Sequence, residues 1–233
     1  MSDVRPATRM AGVTRCLAVG TAIAAVARPL KRRYVRWGAT DEEVATILPG
    51  DDLLPRADLT ATRAVTVLAS PDVVWAWIAQ IGQGRAGFYS YDFLENLLGC
   101  GIHSSDRIVP EWQDVEAGSV VSLFPGGGLD VALASPRQAL VLRGGIPLGR
   151  TPPPYDFTWA FCLRCRRDET TTRLVVRERY AYTSWWAPVV VEPVQVISSI
   201  MSRRMLHGIK QRAERAGIAP PATAKREPAG AHV

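Results

Sequence analysis

His103 and Asp106 stand three residues apart in the run IHSSDRIVPEWQ, with Arg107 beside them and Glu111 four positions further on. An imidazole oriented by a carboxylate is a general base, and a nearby guanidinium or phenol steadies an enolate oxygen. His103, Asp106 and either Arg107 or Tyr91 could therefore carry proton abstraction. The same atoms also suit a purely structural purpose. Asp106 would then cap a turn, Arg107 would pair with Glu111 or Asp92, and Trp112 would close the core. The sequence contains no Ser-His-Asp order and no paired-carboxylate motif, and His103, His207 and His232 lack ligand spacing. Neither a metal nor a cofactor is expected.

A second set of polar groups lies in the extended run TRLVVRERYAY, residues 172–182. With a period of two, Leu174, Val176, Glu178, Tyr180 and Tyr182 share one face, and Val175, Arg177, Arg179 and Ala181 share the other. If the first face lines a cavity, Glu178 and Tyr180 anchor a mostly apolar ligand. If the second does, Arg177 binds a carboxylate or an acidic headgroup. A buried charge without a partner is costly, so whichever charge turns inward must be paired. The remaining option for Arg177 and Arg179 is an outward, solvated stripe. Trp75, Trp77, Phe88, Phe157 and Trp159 could line such a cavity or fill it.

These groups need elements to hold them. LTATRAVTVL, residues 59–68, alternates and reads as a strand. Ser70-Pro71-Asp72 then offers an N-cap, a proline at the first helical position and an acid in the first turn, opening a short helix that Gly82 stops. Ser90 caps a second short helix, YDFLENLL, with Phe93, Leu94, Leu97 and Leu98 on its buried side and Gly99 and Gly101 ending it. SVVSLFP, LDVALAS, QALVLRGG, DFTWAFCLRC and the run at 172–182 follow as an antiparallel sheet. Pro193 opens a long helix on which Val194, Ile197, Met201, Met205 and Gly208 recur at three and four, and Gly217 closes it. Gly82-Gln83-Gly84-Arg85-Ala86-Gly87 satisfies the dinucleotide pattern G-x-G-x-x-G. It follows a helix instead of a strand, so it reads as a connector.

The stretches RRYVRWGATDEEVATILPGD, SPDVVWAWI, GFYSYDFLENLLGCGIHSSDRIVPEWQ and MSRRMLHGIKQRAE resemble a branch of the SRPBCC superfamily, of actinobacterial type. These are START and Bet v 1-like proteins, including polyketide cyclases and dehydratases, lipid-transfer proteins and hormone receptors. The resemblance implies an α+β helix-grip fold, with a curved antiparallel sheet wrapped around a long C-terminal helix and two short helices after the first strand. It also implies an internal cavity, with Tyr89, Tyr91 and Asp92 across one end, and the irregular stretch 102–113 is long enough to act as a lid or entrance loop. Fold alone does not select a function. The expected activity is binding or carriage of a hydrophobic small molecule or lipid. The alternatives are a cyclase or dehydratase using His103 and Asp106, and a membrane-associated accessory protein with a filled cavity. The ligand-contacting candidates are Trp77, Phe88, Tyr89, Tyr91, Asp92, Arg107, Trp159, Arg177, Glu178 and Tyr180.

Charge is distributed unevenly. The chain of 233 residues carries a formal +6, yet eight Arg and Lys against one Asp fall in residues 1–36, leaving the remainder near −1. A basic surface for nucleic acid has to lie on the folded domain, so no nucleic-acid partner is expected. Between Arg15 and Arg28 run 12 uncharged residues, short of the roughly 20 that span a bilayer. Arg28, Lys31, Arg32, Arg33 and Arg36 follow at once, which favours a cytoplasmic place and attraction to an anionic membrane surface. A packed helix and a secretory signal are the rival readings of this arm. The expected organisation is an arm at 1–36, one helix-grip domain at 37–217, and a disordered Pro/Ala-rich tail at 218–233.

Overall fold

Alternating β-branched and aromatic residues produce six strands, because such side chains pack well on a pleated surface. They are β1 (Leu59–Val67), β2 (Val120–Phe124), β3 (Gly127–Ser135), β4 (Ala139–Gly144), β5 (Tyr155–Cys165) and β6 (Thr172–Tyr182). In this computed structural model, which describes residues 33–97, 99–146, 151–165 and 169–218, they form one antiparallel sheet in the order β1-β6-β5-β4-β3-β2. Helices α2 (Pro71–Ala79) and α3 (Asp92–Leu97) follow β1, and α4 (Ala187–Ile218) follows β6 and packs against β1 and α2. This is the helix-grip arrangement. The arm up to residue 32 and the tail beyond 218 lie outside the described residues, as does Leu98.

The two faces of the sheet are covered differently. Leu174, Val176 and Tyr180 of β6, with Phe157, Phe161 and Leu163 of β5, join Met205, Leu206, Ile209 and Ala213 of α4 in the main core. On the outer face a smaller cluster of Ala64, Val141, Ala160, Cys162 and Val175 lies beneath Leu48. The segment over it begins with α1 (Asp41–Ala45), started by a capping box in which Thr40 and Glu43 each accept the other's backbone N–H. Arg177 takes neither of the two places considered for it, cavity wall or solvated stripe. It is buried under this segment and donates to the carbonyls of Glu43, Val44 and Thr46 and to Asp51. Those carbonyls are the ones a helix C-terminus leaves without an intrahelical donor. Arg179 reaches the Leu54 carbonyl in the same way.

Several local expectations change. α4 begins at Ala187, so Pro193 lies inside the helix near its start. Ser90 donates to the Met201 carbonyl and so ties α3 to α4, while α3 starts at Asp92. Ser70 occupies the cap position of α2 without a side-chain hydrogen bond. The Gly82–Gly87 connector closes on itself through a two-way backbone bridge and then passes to α3, with no nucleotide-type strand before it.

Candidate functional site

The register of β5 against β6 builds the inner face in pairs. Tyr155 stands opposite Tyr182, Phe157 opposite Tyr180 and Trp159 opposite Glu178. Directly opposed residues of an antiparallel pair share a face, so six aromatic or polar side chains form one block. Phe157 and Tyr180 have ring centroids 4.6 Å apart, Tyr155 and Tyr180 5.3 Å, and Trp159 and Phe161 4.8 Å. Phe88 joins from the connector, 6.1 Å from Trp159. Within this block the indole nitrogen of Trp159 and the hydroxyl of Tyr182 are buried with no hydrogen-bond partner. Burial pushes the Tyr182 phenol up to about 12, helped by the charges of Glu192 and Asp58. Burial likewise raises Tyr155, and it raises Tyr180 well above the ordinary phenol range. All three stay protonated at neutral pH.

Glu178 is the carboxylate of this face, and it is fully engaged. Arg63 of β1 donates to it at 2.7 Å, Gln195 at 3.1 Å, Ser202 at 3.0 Å, and Ser198 at 3.1 and 3.2 Å to its two oxygens. Arg63 is itself wholly buried, and it also donates to Gln195 and to the Tyr34 carbonyl. Glu178 thus turns inward and is paired. The network draws Gln195, Ser198 and Ser202 to the sheet side of α4. The buried stripe in the first half of the helix is therefore Ala187, Val191, Gln195 and Ser202, while Val194 and Ile197, expected inside, are exposed.

At one end of the sheet the connector carries Tyr89, held at φ 56°, in the left-handed region. Its hydroxyl donates to the Trp77 carbonyl and accepts from Gln80, both at 3.0 Å, and its ring meets Trp77 edge-on at 5.8 Å. Gly208 of α4 lies against it: a Cβ there would sit 2.8 Å from Tyr89 Cβ and closer still to its carbonyl oxygen. Above Tyr89 opens a cleft of about 480 Å³ lined by Tyr89, Ser90, Tyr91, Asp92, Arg204 and Arg212, among others. Arg212 sits 4.8 Å over the Tyr89 ring and pairs with Asp106 at 2.8 Å; Arg204 lies 5.9 Å over Tyr91. Asp92 accepts from the Ser104 amide and hydroxyl, both at 2.6 Å.

The residues read from sequence therefore separate into groups. Phe88, Trp159, Glu178 and Tyr180 come together on or against the inner face, and Trp77 is buried beside Tyr89. Tyr89, Tyr91 and Asp92 border the outer cleft. His103 is exposed, and no hydrogen bond joins it to Asp106, whose carboxylate is taken by Arg212. Arg107 is exposed and contributes its carbonyl, which accepts from Gln80; among the described residues its guanidinium pairs with neither Glu111 nor Asp92.

Glu95 carries a signal that sequence reading missed. It is 5% exposed, whereas Phe93 and Leu97, expected inside, are 69% and 79% exposed. α3 is thus turned over, with a carboxyl facing the protein. One oxygen of Glu95 has no partner, and burial, with the nearby Asp92 charge, pushes its pKa up to about 7. Apolar periodicity pointed the other way. The only hint was an acid in a run too short for hydropathy to fix its face.

No family profile and no curated protein matches the chain. Among solved structures it is similar to a protein from Mesorhizobium loti at 15% identity, over 67% of this chain and 98% of that one, with a TM-score of 0.41. It is similar to norcoclaurine synthase from Thalictrum flavum at 13% identity, over 66% and 84%, with a TM-score of 0.41. That enzyme is also described in complex with dopamine and hydroxybenzaldehyde. A third is the di-domain ARO/CYC BexL from the BE-7585A biosynthetic pathway, at 14% identity, over 67% and 46%, with a TM-score of 0.38. The fold of this chain is the Bet v 1-like helix-grip fold, as its own sheet order and terminal helix establish.

Proposed function

We propose that the protein binds and carries a hydrophobic small molecule or lipid between the inner face of its sheet and α4. The observation that carries this reading is the pair of buried, partnerless donors, Trp159 Nε1 and Tyr182 OH, within an aromatic face. A buried donor left without an acceptor costs about 1–3 kcal/mol. A ligand oxygen would supply the acceptor while its carbon skeleton lies against Phe88, Phe157 and Phe161. The ligand class is thus mostly apolar with at least one carbonyl or hydroxyl oxygen. Titration with a fluorescent aromatic ketone tests this. The expected result is saturable binding, weakened about tenfold in the paired Trp159→Phe, Tyr182→Phe variant, in line with losing one or two hydrogen bonds. Equal affinity in both proteins would remove these donors from the site. The basic arm, residues 1–36, supplies a further contact to an anionic membrane surface in this reading.

Glu95 favours a second reading, a proton-transfer enzyme of the cyclase or dehydratase type. A carboxyl with its pKa near 7 and a free oxygen is matched to acid-base work at neutral pH, which the exposed His103 lacks the setting for. Under this reading Glu95→Gln abolishes turnover of a polyketide-like substrate and leaves its binding intact. Unchanged turnover in that variant would exclude Glu95.

A further inference from the structure

Two neighbouring elements are turned over in the same sense. α3 buries Glu95 and exposes Phe93 and Leu97, and the first half of α4 buries Gln195 and Ser202 and exposes Val189, Val196, Ile197 and Ile200. On α4 these exposed residues recur at three and four positions and so form one stripe. Trp185, 91% exposed, stands just ahead of it. The hydrogen bond from Ser90 to Met201 sets α3 beside the end of this stripe, and Phe93 and Arg204 both line the cleft. Exposed apolar groups of this size gathered on adjoining elements mark a contact surface.

Charge identifies the partner. α4 carries Arg203, Arg204, Lys210, Arg212 and Arg215 against Glu192 and Glu214, with Lys210 paired to Glu214 and Arg212 to Asp106. Arg204 is exposed, forms no ion pair among the described residues, and points to the cleft that Arg212 also borders. Trp37 also packs here, against His207, with the Arg203 guanidinium over the Trp37 ring. A second copy would bring the same positive charge and be repelled.

We infer that this face, made of Phe93, Leu97, Ile197 and Ile200 around the cleft with Arg204 and Arg212, docks on an anionic phospholipid bilayer. The apolar side chains enter the acyl boundary and the Arg204 guanidinium takes a lipid phosphate, the division of labour of an interfacial amphipathic helix. The inference deepens the carrier reading, since it sets the ligand-binding domain on the surface from which a lipid-like ligand would come.

Vesicle flotation of the full chain tests it, comparing vesicles of phosphatidylglycerol and phosphatidylcholine with phosphatidylcholine alone. Wild type should float with the anionic vesicles only. Arg204→Glu and the paired Ile197→Asp, Ile200→Asp should each weaken flotation by roughly tenfold or more. All these positions are exposed, so circular dichroism should be unchanged. The paired arm variant Arg28→Glu, Lys31→Glu should retain a dependence on the face. Face variants that float like wild type would overturn the inference and leave the arm as the sole contact. So would a sedimentation experiment in which wild type dimerises and Ile197→Asp does not, making a second copy the occupant. Tighter vesicle binding after Ile23→Asp would overturn it too, because the arm would then be what covers the face. Flotation reads the surface alone: its failure leaves ketone binding intact, and loss of ketone binding leaves flotation intact.

Discussion

Glu95 gives the sharpest consequence at the scale of single residues. Its folded pKa, about 7, lies above the value of 4.5 that it has when solvated. Between these two values the folded protein keeps a proton that the unfolded chain releases. The stability this confers is complete below about pH 4.5 and is lost as pH rises through 7, at most ~3 kcal/mol for a shift of this size. Urea unfolding from pH 5 to 8 should show wild-type stability falling across this window and Glu95→Gln falling less. Parallel slopes would place the Glu95 carboxyl in water. The Arg63–Glu178 pair leads to a different prediction. Removing one partner strands a buried charge, so Glu178→Ala should lose about 3–5 kcal/mol. The double variant Arg63→Met, Glu178→Leu should recover much of that loss, because matched apolar groups leave no charge unpaired. Strand alternation made both possible faces of β6 readable before the fold was known. Which one turned inward depended on Arg63, a residue 115 positions away, and no local pattern contains that information.

Among the elements, all six strands were legible, because a period of two and flanking Gly and Pro mark them without reference to the rest of the chain. The outward faces of α3 and α4 were not. Val194, Ile197 and Met201 make a convincing buried stripe by spacing, yet the helix turns Gln195, Ser198 and Ser202 to the sheet because Glu178 requires donors there. Polar demand within the core overrode hydropathy. Gly208 shows the same dominance of tertiary context. In an exposed helix interior Gly→Ala gains about 1 kcal/mol. Here the added methyl meets the backbone of Tyr89. Gly208→Ala should therefore destabilise, by roughly 1–3 kcal/mol as other overpacked sites do, and the urea midpoint should fall. A rise in that midpoint would mean that the Tyr89 connector yields easily, and that its left-handed turn is not held by α4.

For the whole molecule, the two faces of the sheet are used differently. Arg177 and Arg179 fasten the segment 43–54 over the outer face, so that face is spent on packing. The inner face carries aromatic surface, neutral phenols and two unpartnered donors against a helix that brings polar groups inward. Among the described residues no helix is long and apolar enough to cross a membrane. The contact with a bilayer proposed above uses the turned-over face of α3 and α4 and the basic arm. The inner face, as proposed, holds a hydrophobic ligand bearing an oxygen acceptor. The most direct test is mass spectrometry of organic extracts from the purified full-length protein, alongside the Trp159→Phe, Tyr182→Phe variant and a mock purification. One enriched apolar, oxygen-bearing species is expected with wild type, and its depletion with the variant. A folded wild-type protein whose extract matches the mock, and which takes up no ketone on titration, would contradict it.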